Sequence, residues 1–307
     1  MSTTLLLIQI LNGLQLGVLL FLVAAGLTLV FGVMDFINLA HGAQYMLGAY
    51  VAATLGVWAG SFWAGLLLAL PVALLLGLLF EALVFRHLYG RDHLSQVLAT
   101  FGVILTVDEG VRALWGTAPL NVLQPGGLGG GIELMPGFTY PAYRLVIIAA
   151  GLAVALLLWL LVERTRVGML VRAGATHPAM VSALGVDVRR LFMGVFGFGA
   201  MLAGFAGALA GPVFAVAPGM GDGVLIPAFV VIVVGGIGSI RGAFIAALGV
   251  GVLDTLGRAL LPDLLRLVTD GPTARQAGAA LASMLVYVAM AAILAVRPAG
   301  LFPVRRA

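Results

Sequence analysis

Four polar side chains stand close together in an otherwise oily chain: Asn38, His41, Gln44 and Tyr45, within FGVMDFINLAHGAQYMLGAYVAA (31–53). Amide, imidazole and phenol groups can hydrogen-bond a small polar solute. At membrane depth such groups face a bundle interior or a water-filled cavity, because lipid offers them no partner. If the segment is helical, Asn38, His41 and Tyr45 follow i, i+3, i+7 spacing and share one face. They are candidates for the wall of a passage. The competing readings are an interhelical hydrogen-bond network and a short loop at the membrane surface.

Other constellations point away from catalysis. Asp108 with Arg112 and Asp254 with Arg258 stand at i, i+4 with the acid first, the order that favours pairing on a helix, and both lie near the ends of apolar runs. Neither is the unpaired mid-helix acid of a proton-driven carrier. Gly235, Gly236, Gly238 and Gly242 surround Ser239 and Arg241 without the G-x-G-x-x-G spacing of a nucleotide site, so they read as a helix break or tight turn. His41, His87, His93 and His177 have no metal-ligand spacing, and no serine lies in G-x-S-x-G. With no cysteine, disulfides and thiol catalysis are excluded. With no lysine, the chain lacks the residue that a Walker A loop places on phosphate. These residues define no enzyme, cofactor or metal site.

The elements that must position the polar cluster are membrane helices. Of 307 residues, 62% are hydrophobic and 9% charged, against about 25% charged in soluble domains. The 43 glycines suit helices packed backbone to backbone. A net charge of +4 comes from arginines at the ends of apolar runs, which is a membrane pattern and not a nucleic-acid one. Met1 to Asn12 has no basic residue ahead of its apolar run, so that run is expected to stay as a helix.

Apolar runs fall near 8–33, 42–58, 63–85, 95–115, 145–163, 191–216, 224–238, 242–260 and 278–296. They predict an all-α polytopic membrane bundle, one domain over 1–307, with eight or nine crossings. The runs 42–58, 224–238 and 242–260 are short or broken by glycine and are candidate half-helices. Arg164, Arg166, Arg172, Arg189 and Arg190 make 164–190 a cytoplasmic segment by the positive-inside rule. Arg86, Arg91, Arg297, Arg305 and Arg306 then fall on the same side and the N-terminus outside. The outer loop Gly116 to Tyr143, with Pro119, Pro125 and Pro136 among many glycines, predicts irregular backbone. Ala203, Gly207 and Gly211 form a packing stripe. The stretches 31–53 and 230–251 share an order of helix end, break and small-residue helix, as interrupted segments in two transporter halves do.

Four stretches carry a family resemblance: GLTLVFGVMDFINLAHGAQYMLGAY (26–50), RTRVGMLVRAGATHPAMVSALGVDVRRL (164–191), PAFVVIVVGGIGSIRGAFIAALGVGVLD (227–254) and the ending RPAGLFP (297–303). Through them the chain resembles permeases of branched-chain amino acid ABC transporters, of the LivH type. The resemblance implies a non-catalytic subunit of a bacterial inner-membrane importer. It also implies a second, LivM-type permease, two cytoplasmic ATPase subunits and a periplasmic binding protein as partners. The segment 164–190 then lies against the ATPases, with Arg172, Ala173, Ala179, Leu184 and Gly185 as coupling residues, Gly185 closing a short helix. Two departures stand out. Ala43-Gln44 replace an acidic residue followed by an aromatic one, and His177-Pro178 replace a polar, often acidic pair. The first leaves urea, amides and other small polar solutes open beside branched-chain amino acids. A stand-alone secondary carrier is the reading from another class.

Overall fold

The computed structural model describes residues 3–122, 124–135 and 137–303. Met1, Pro136, Arg305 and Arg306, invoked above, lie outside the described residues. Among those described the chain forms α1 (Thr3–Met34), α2 (His41–Trp58), α3 (Phe62–Leu83), a 3-10 turn (Phe85–His87), α4 (His93–Trp115), β1 (Gly131–Met135), β2 (Phe138–Pro141), α5 (Ala142–Arg164), α6 (Arg166–Thr176), α7 (Pro178–Ala183), α8 (Val188–Phe214), α9 (Asp222–Gly235), α10 (Ile240–Leu265) and α11 (Gly271–Val296). Every one of the nine apolar runs is a helix. Six of them, α1, α3, α5, α8, α10 and α11, are long and apolar enough to cross a bilayer alone. The 23-residue α4 is made too polar for that by Asp108, Glu109 and Arg112. The 14 residues of α9 span only about 21 Å against a core of about 30 Å. The run 242–260, expected to be a half-helix, belongs to the 26-residue α10 and is a full crossing. The outer loop is also more regular than its composition predicts. Its β1 and β2 pair antiparallel, and the Glu133 carboxylate accepts the Gly137 amide at 2.9 Å across the turn.

Helix ends carry local sequence signals. Side chains of Ser61, Asp92, Thr165, Asp187, Ser239 and Asp270 each accept an amide of the following first turn, satisfying donors that a helix start leaves free. The Ser95 amide and hydroxyl at Asp92 hold that carboxyl below the usual carboxylate range.

Contacts between helix ends sort them into two levels. At one level Phe36 stacks on Phe85, Arg86 reaches Met193, Glu163 pairs with Arg241, and Leu301 bonds Val234. Arg86, Arg91, Arg164, Arg166, Arg172, Arg189, Arg190, Arg241 and Arg297 all belong to this end. At the other, Leu120 bridges Val216, Tyr140 bonds Asn12 and Trp115 bonds Thr54. Glu81, fully buried near the arginine-rich end, pairs with Arg86 at 3.0 Å and accepts the Tyr89 hydroxyl at 3.3 Å. Removing one partner of such a pair strands a charge, so it acts as a fixed joint between α3 and α4.

The architecture is an inverted repeat, paired differently from the sequence expectation. α1 runs toward the arginine-rich end and is followed by the return segment 35–40 and the short α2. α8 runs the opposite way and is followed by the return segment 215–221 and the short α9. Each return opens on a non-glycine residue in the left-handed region, Asp35 (φ 51°) and Ala215 (φ 50°). The helices also exchange partners: α2 and α3 pack on α8, while α9 and α10 pack on α1. The partner of 31–53 is therefore 211–235. The stretch 230–251 is instead the sharp turn between α9 and α10.

The C-terminal ending has a specific task. The Leu301 amide bonds Val234 O at 2.8 Å and the Phe302 amide bonds Gly235 O at 3.0 Å, closing the carbonyls at the end of α9. Gly300 (φ 82°) makes this possible, since a methyl group there would lie 2.7 Å from Gly236 Cα. Gly300→Val is expected to lower the thermal midpoint of the purified protein, with a local cost of about 1–3 kcal/mol from the strained backbone and the two lost caps. Wild-type melting behaviour of this variant in a detergent thermal-shift assay would refute the capping role.

Candidate functional site

The polar cluster lies where the first return segment meets α2. Asn38 belongs to the extended return and not to a helix, so the shared i, i+3, i+7 face reduces to His41 and Tyr45 on α2. His41 Nε2 donates to the Val23 carbonyl at 3.1 Å. From Val23 to the end of α1 at Met34 is eleven residues, about 16 Å. The start of α2 is thus well inside the bundle, at the level where Gly26 approaches Gly199 of α8. Six residues cover that return, 35–38 outside any helix and Leu39-Ala40 in a turn that leads into α2; fully stretched they would reach about 20 Å.

At this depth α2 meets α9. A methyl group on Gly42 would lie 2.7 Å from the Gly221 carbonyl, and the reverse substitution would clash equally. Gly221 is the residue before α9, so two half-helices face each other N-terminus to N-terminus inside the bundle. Neither start has a side-chain cap: Ala40 precedes α2 and Gly221 precedes α9. A helix start carries roughly half a positive charge; at α9 the Asp222 and Val224 amides are already taken by the Gly219 and Gly221 carbonyls. The start of α2 has no acid in its first turn, whereas the start of α9 carries Asp222 with Asp108 beside it.

Around it, Asn38 and His41 are fully buried, and Gln44 and Tyr45 nearly so. Gln44 lies beside the His41 ring. Among the described residues neither amide atom of Asn38 has a hydrogen-bond partner. Such a group costs about 1–3 kcal/mol, which a purely structural residue would not be expected to retain. Gln44 borders a crevice of about 10 Å³ beside Gly77 and Ala200, too small for a solute. Further along α2, Gly48 meets the Gly204 backbone and the Tyr45 carbonyl abuts Gly207, so the packing stripe on α8 serves to bring α2 close.

Of the expected ion pairs, Asp254–Arg258 forms at 2.9 Å. Asp108–Arg112 does not: Arg112 pairs with Glu109 at 3.7 Å, while Asp108 is turned toward Gly219 and Asp222 at the start of α9. Both Gly235–Gly242 and Gly236–Gly238 serve the α9–α10 turn. Gly235 and Gly242 touch across it, and Gly236 (φ 102°) and Gly238 (φ 82°) adopt left-handed backbone within it.

Segment 164–190 folds as α6 and α7 at the arginine-rich end. Arg172 is held by the Val162 carbonyl at the end of α5, and Ala173 lies half-buried behind it. Ala179, Met180 and Leu184 are exposed, Leu184 at 79%. The Val186 amide bonds Val181 O and the Gly185 amide bonds Ser182 O, the two bonds of a Schellman closure, with Gly185 at φ 86°. Sequence reasoning missed the second return, 215–221, and its approach to Gly42. Its signal was the run Pro218-Gly219-Met220-Gly221-Asp222-Gly223, dense in turn formers yet lying between two apolar runs.

Comparison with known proteins gives a consistent picture. Residues 9–294 match the family model described as branched-chain amino acid transport system / permease component. The chain is 31% identical over 267 residues to the high-affinity branched-chain amino acid transport system permease protein BraD of Pseudomonas aeruginosa, covering 83% of this chain and 87% of the relative. It is 30% identical over 267 residues to the corresponding LivH protein of Escherichia coli, covering 82% and 86%. No solved structure matches the chain.

Because the Asn38 amide is buried without a partner, Asn38→Leu should keep or raise thermal stability, by up to about 1–3 kcal/mol. A midpoint lowered as far as those of ordinary core polar substitutions would mean that Asn38 has a structural partner.

Proposed function

Because the chain belongs to the permease family of branched-chain amino acid transport systems, we propose that it forms the passage of an ATP-driven importer for small apolar amino acids, in concert with a second related permease, two cytoplasmic ATPase subunits and an external binding protein. It is a multi-pass inner-membrane protein. The observation that carries the reading is the meeting of the α2 and α9 N-termini inside the bundle. In this reading Asn38, His41, Gln44 and Tyr45 border the route, and the start of α2, with no acid in its first turn, favours the carboxylate of a passing amino acid. The unpartnered Asn38 amide supplies a hydrogen-bonding group already desolvated, so the solute bears less of that cost.

The arginine-rich end is cytoplasmic under this proposal, and α6–α7 is the coupling surface. Its exposed Met180 and Leu184 offer an apolar patch to an ATPase groove, and the Gly185 closure fixes the angle between α7 and the chain entering α8. ATPase closure then biases a two-state bundle through this lever. A chain without lysine leaves ATP hydrolysis to its partners. The bound solute is a branched-chain amino acid by the names of the relatives. Urea and simple amides are the competitors to include.

Reconstituted with its partners, the chain should support ATP-dependent uptake of leucine, isoleucine or valine, and alone it should hydrolyse no ATP. Uptake of urea or an amide in preference would redirect the substrate assignment. His41→Ala should lower uptake about tenfold or more with little loss of basal ATPase activity; parallel loss of protein yield would favour a structural network instead.

Gly185→Val should uncouple ATPase stimulation from uptake at normal expression, since a β-branched residue at φ 86° is strained by about 1–3 kcal/mol. Unchanged uptake would remove Gly185 from the coupling surface. In this cysteine-free chain, cysteines at Gly127 and Ala175 should label from opposite sides of the membrane, Gly127 from outside.

A further inference from the structure

A second site lies apart from the half-helix junction. At the arginine-rich end a cavity of about 340 Å³ opens between α1, the end of α5, α6 and the α9–α10 turn. Its interior is apolar, formed by the Trp159 ring and Ile237 among others, and its polar groups are of both signs. Glu163 and Arg241 pair with each other at 3.4 Å on its wall, and Arg172 stands on the α6 side. Ser239 and Ile240 bring the N-terminus of α10 to the same place, adding amide donors suited to an anion. On the α1 wall, Thr28 is 1% exposed and its hydroxyl has no partner among the described residues. An apolar cavity with one acid, two guanidiniums, a helix start and a spare hydroxyl has the polarity of a small zwitterion with a hydrocarbon side chain.

We infer that this cavity is a regulatory subsite for an apolar amino acid arriving from the cytoplasm, an inference that rests on the import function proposed above. The occupant opens the Glu163–Arg241 pair: its carboxylate binds at Arg241 and the start of α10, its ammonium at Glu163, and its side chain against Trp159 and Ile237. One wall belongs to α6 and another to the α9–α10 turn, so an occupant ties the coupling segment to the transmembrane bundle. Filled, the cavity holds these two elements together and slows import once the solute has accumulated inside.

The test uses the full assembly in proteoliposomes holding ATP, with labelled leucine and binding protein outside. The lumen contains leucine, leucinamide, 4-methylpentanoate or no addition. Lumenal leucine is expected to slow initial uptake severalfold, while the two analogues, each lacking one charge, are not. Glu163→Gln, and Val33→Phe, which fills the cavity from α1, should raise the half-inhibitory lumenal leucine concentration about tenfold. Both variants should import normally into leucine-free vesicles. Equal inhibition in wild type and both variants, no inhibition by leucine, or equal inhibition by 4-methylpentanoate, the mark of a simple anion or lipid-headgroup site, would overturn the assignment. Failure of wild type to import leucine into empty vesicles would instead overturn the proposed function. The cavity is then read directly from labelled leucine bound to the purified assembly, where indistinguishable binding by wild type and Glu163→Gln would exclude it.

Discussion

The structure depends on one steric constraint: two helix starts must approach backbone to backbone deep in a membrane protein. Gly42 and Gly221 meet there, and no side chain larger than hydrogen fits at either position. Everything nearby follows from this contact. α2 and α9 can be short because each begins inside the bundle. The segments 35–40 and 215–221 carry the chain back from the membrane surface to that depth, each ending in a turn, 39–40 and 218–221. Irregular backbone is tolerable at such depth only when protein surrounds it. That surrounding is supplied by α1 and α8, the two most deeply buried of the long apolar helices.

The exchange of partners between the repeats makes the arrangement stable. If each triplet packed only within itself, its short helix would present free amides to lipid. Because α2 leans on α8 and α9 on α1, each half shields the broken helix of the other. Glycine and alanine at these crossings replace the hydrophobic effect, which does not operate between helices in hydrocarbon, with close dispersion contact.

The periodicity and composition of the sequence were enough to place all nine apolar helices, because burial in lipid demands long runs whose ends are marked by charge. The arginine pattern also anticipated which helix ends lie together. What it could not show was depth. A run of 18 apolar residues looks alike whether it starts at a membrane surface or halfway through, and only contacts such as His41 with Val23 reveal the difference. The same blindness produced the misplaced repeat. Small-residue helices resemble one another in composition, so 230–251 looked like the partner of 31–53, whereas the true partner includes Ala215, whose left-handed backbone no residue type announces. Gly185 was readable because a glycine after a short amphipathic segment has few other uses. Asp108 was misread since i, i+4 spacing says nothing about a neighbouring helix that competes for the carboxylate.

The capping of α9 by residues 301 and 302 has a bearing on how the protein is made. Helix α9 emerges from the ribosome long before the ending that closes its carbonyls, and α1 precedes its principal partner α10 by some two hundred residues. During synthesis α1, and then a half-helix with an open end, must therefore wait until residues 301 and 302 have followed. A chain that stops before Leu301 leaves the polar end of α9 unclosed, a local defect by which membrane proteases could distinguish unfinished copies from finished ones.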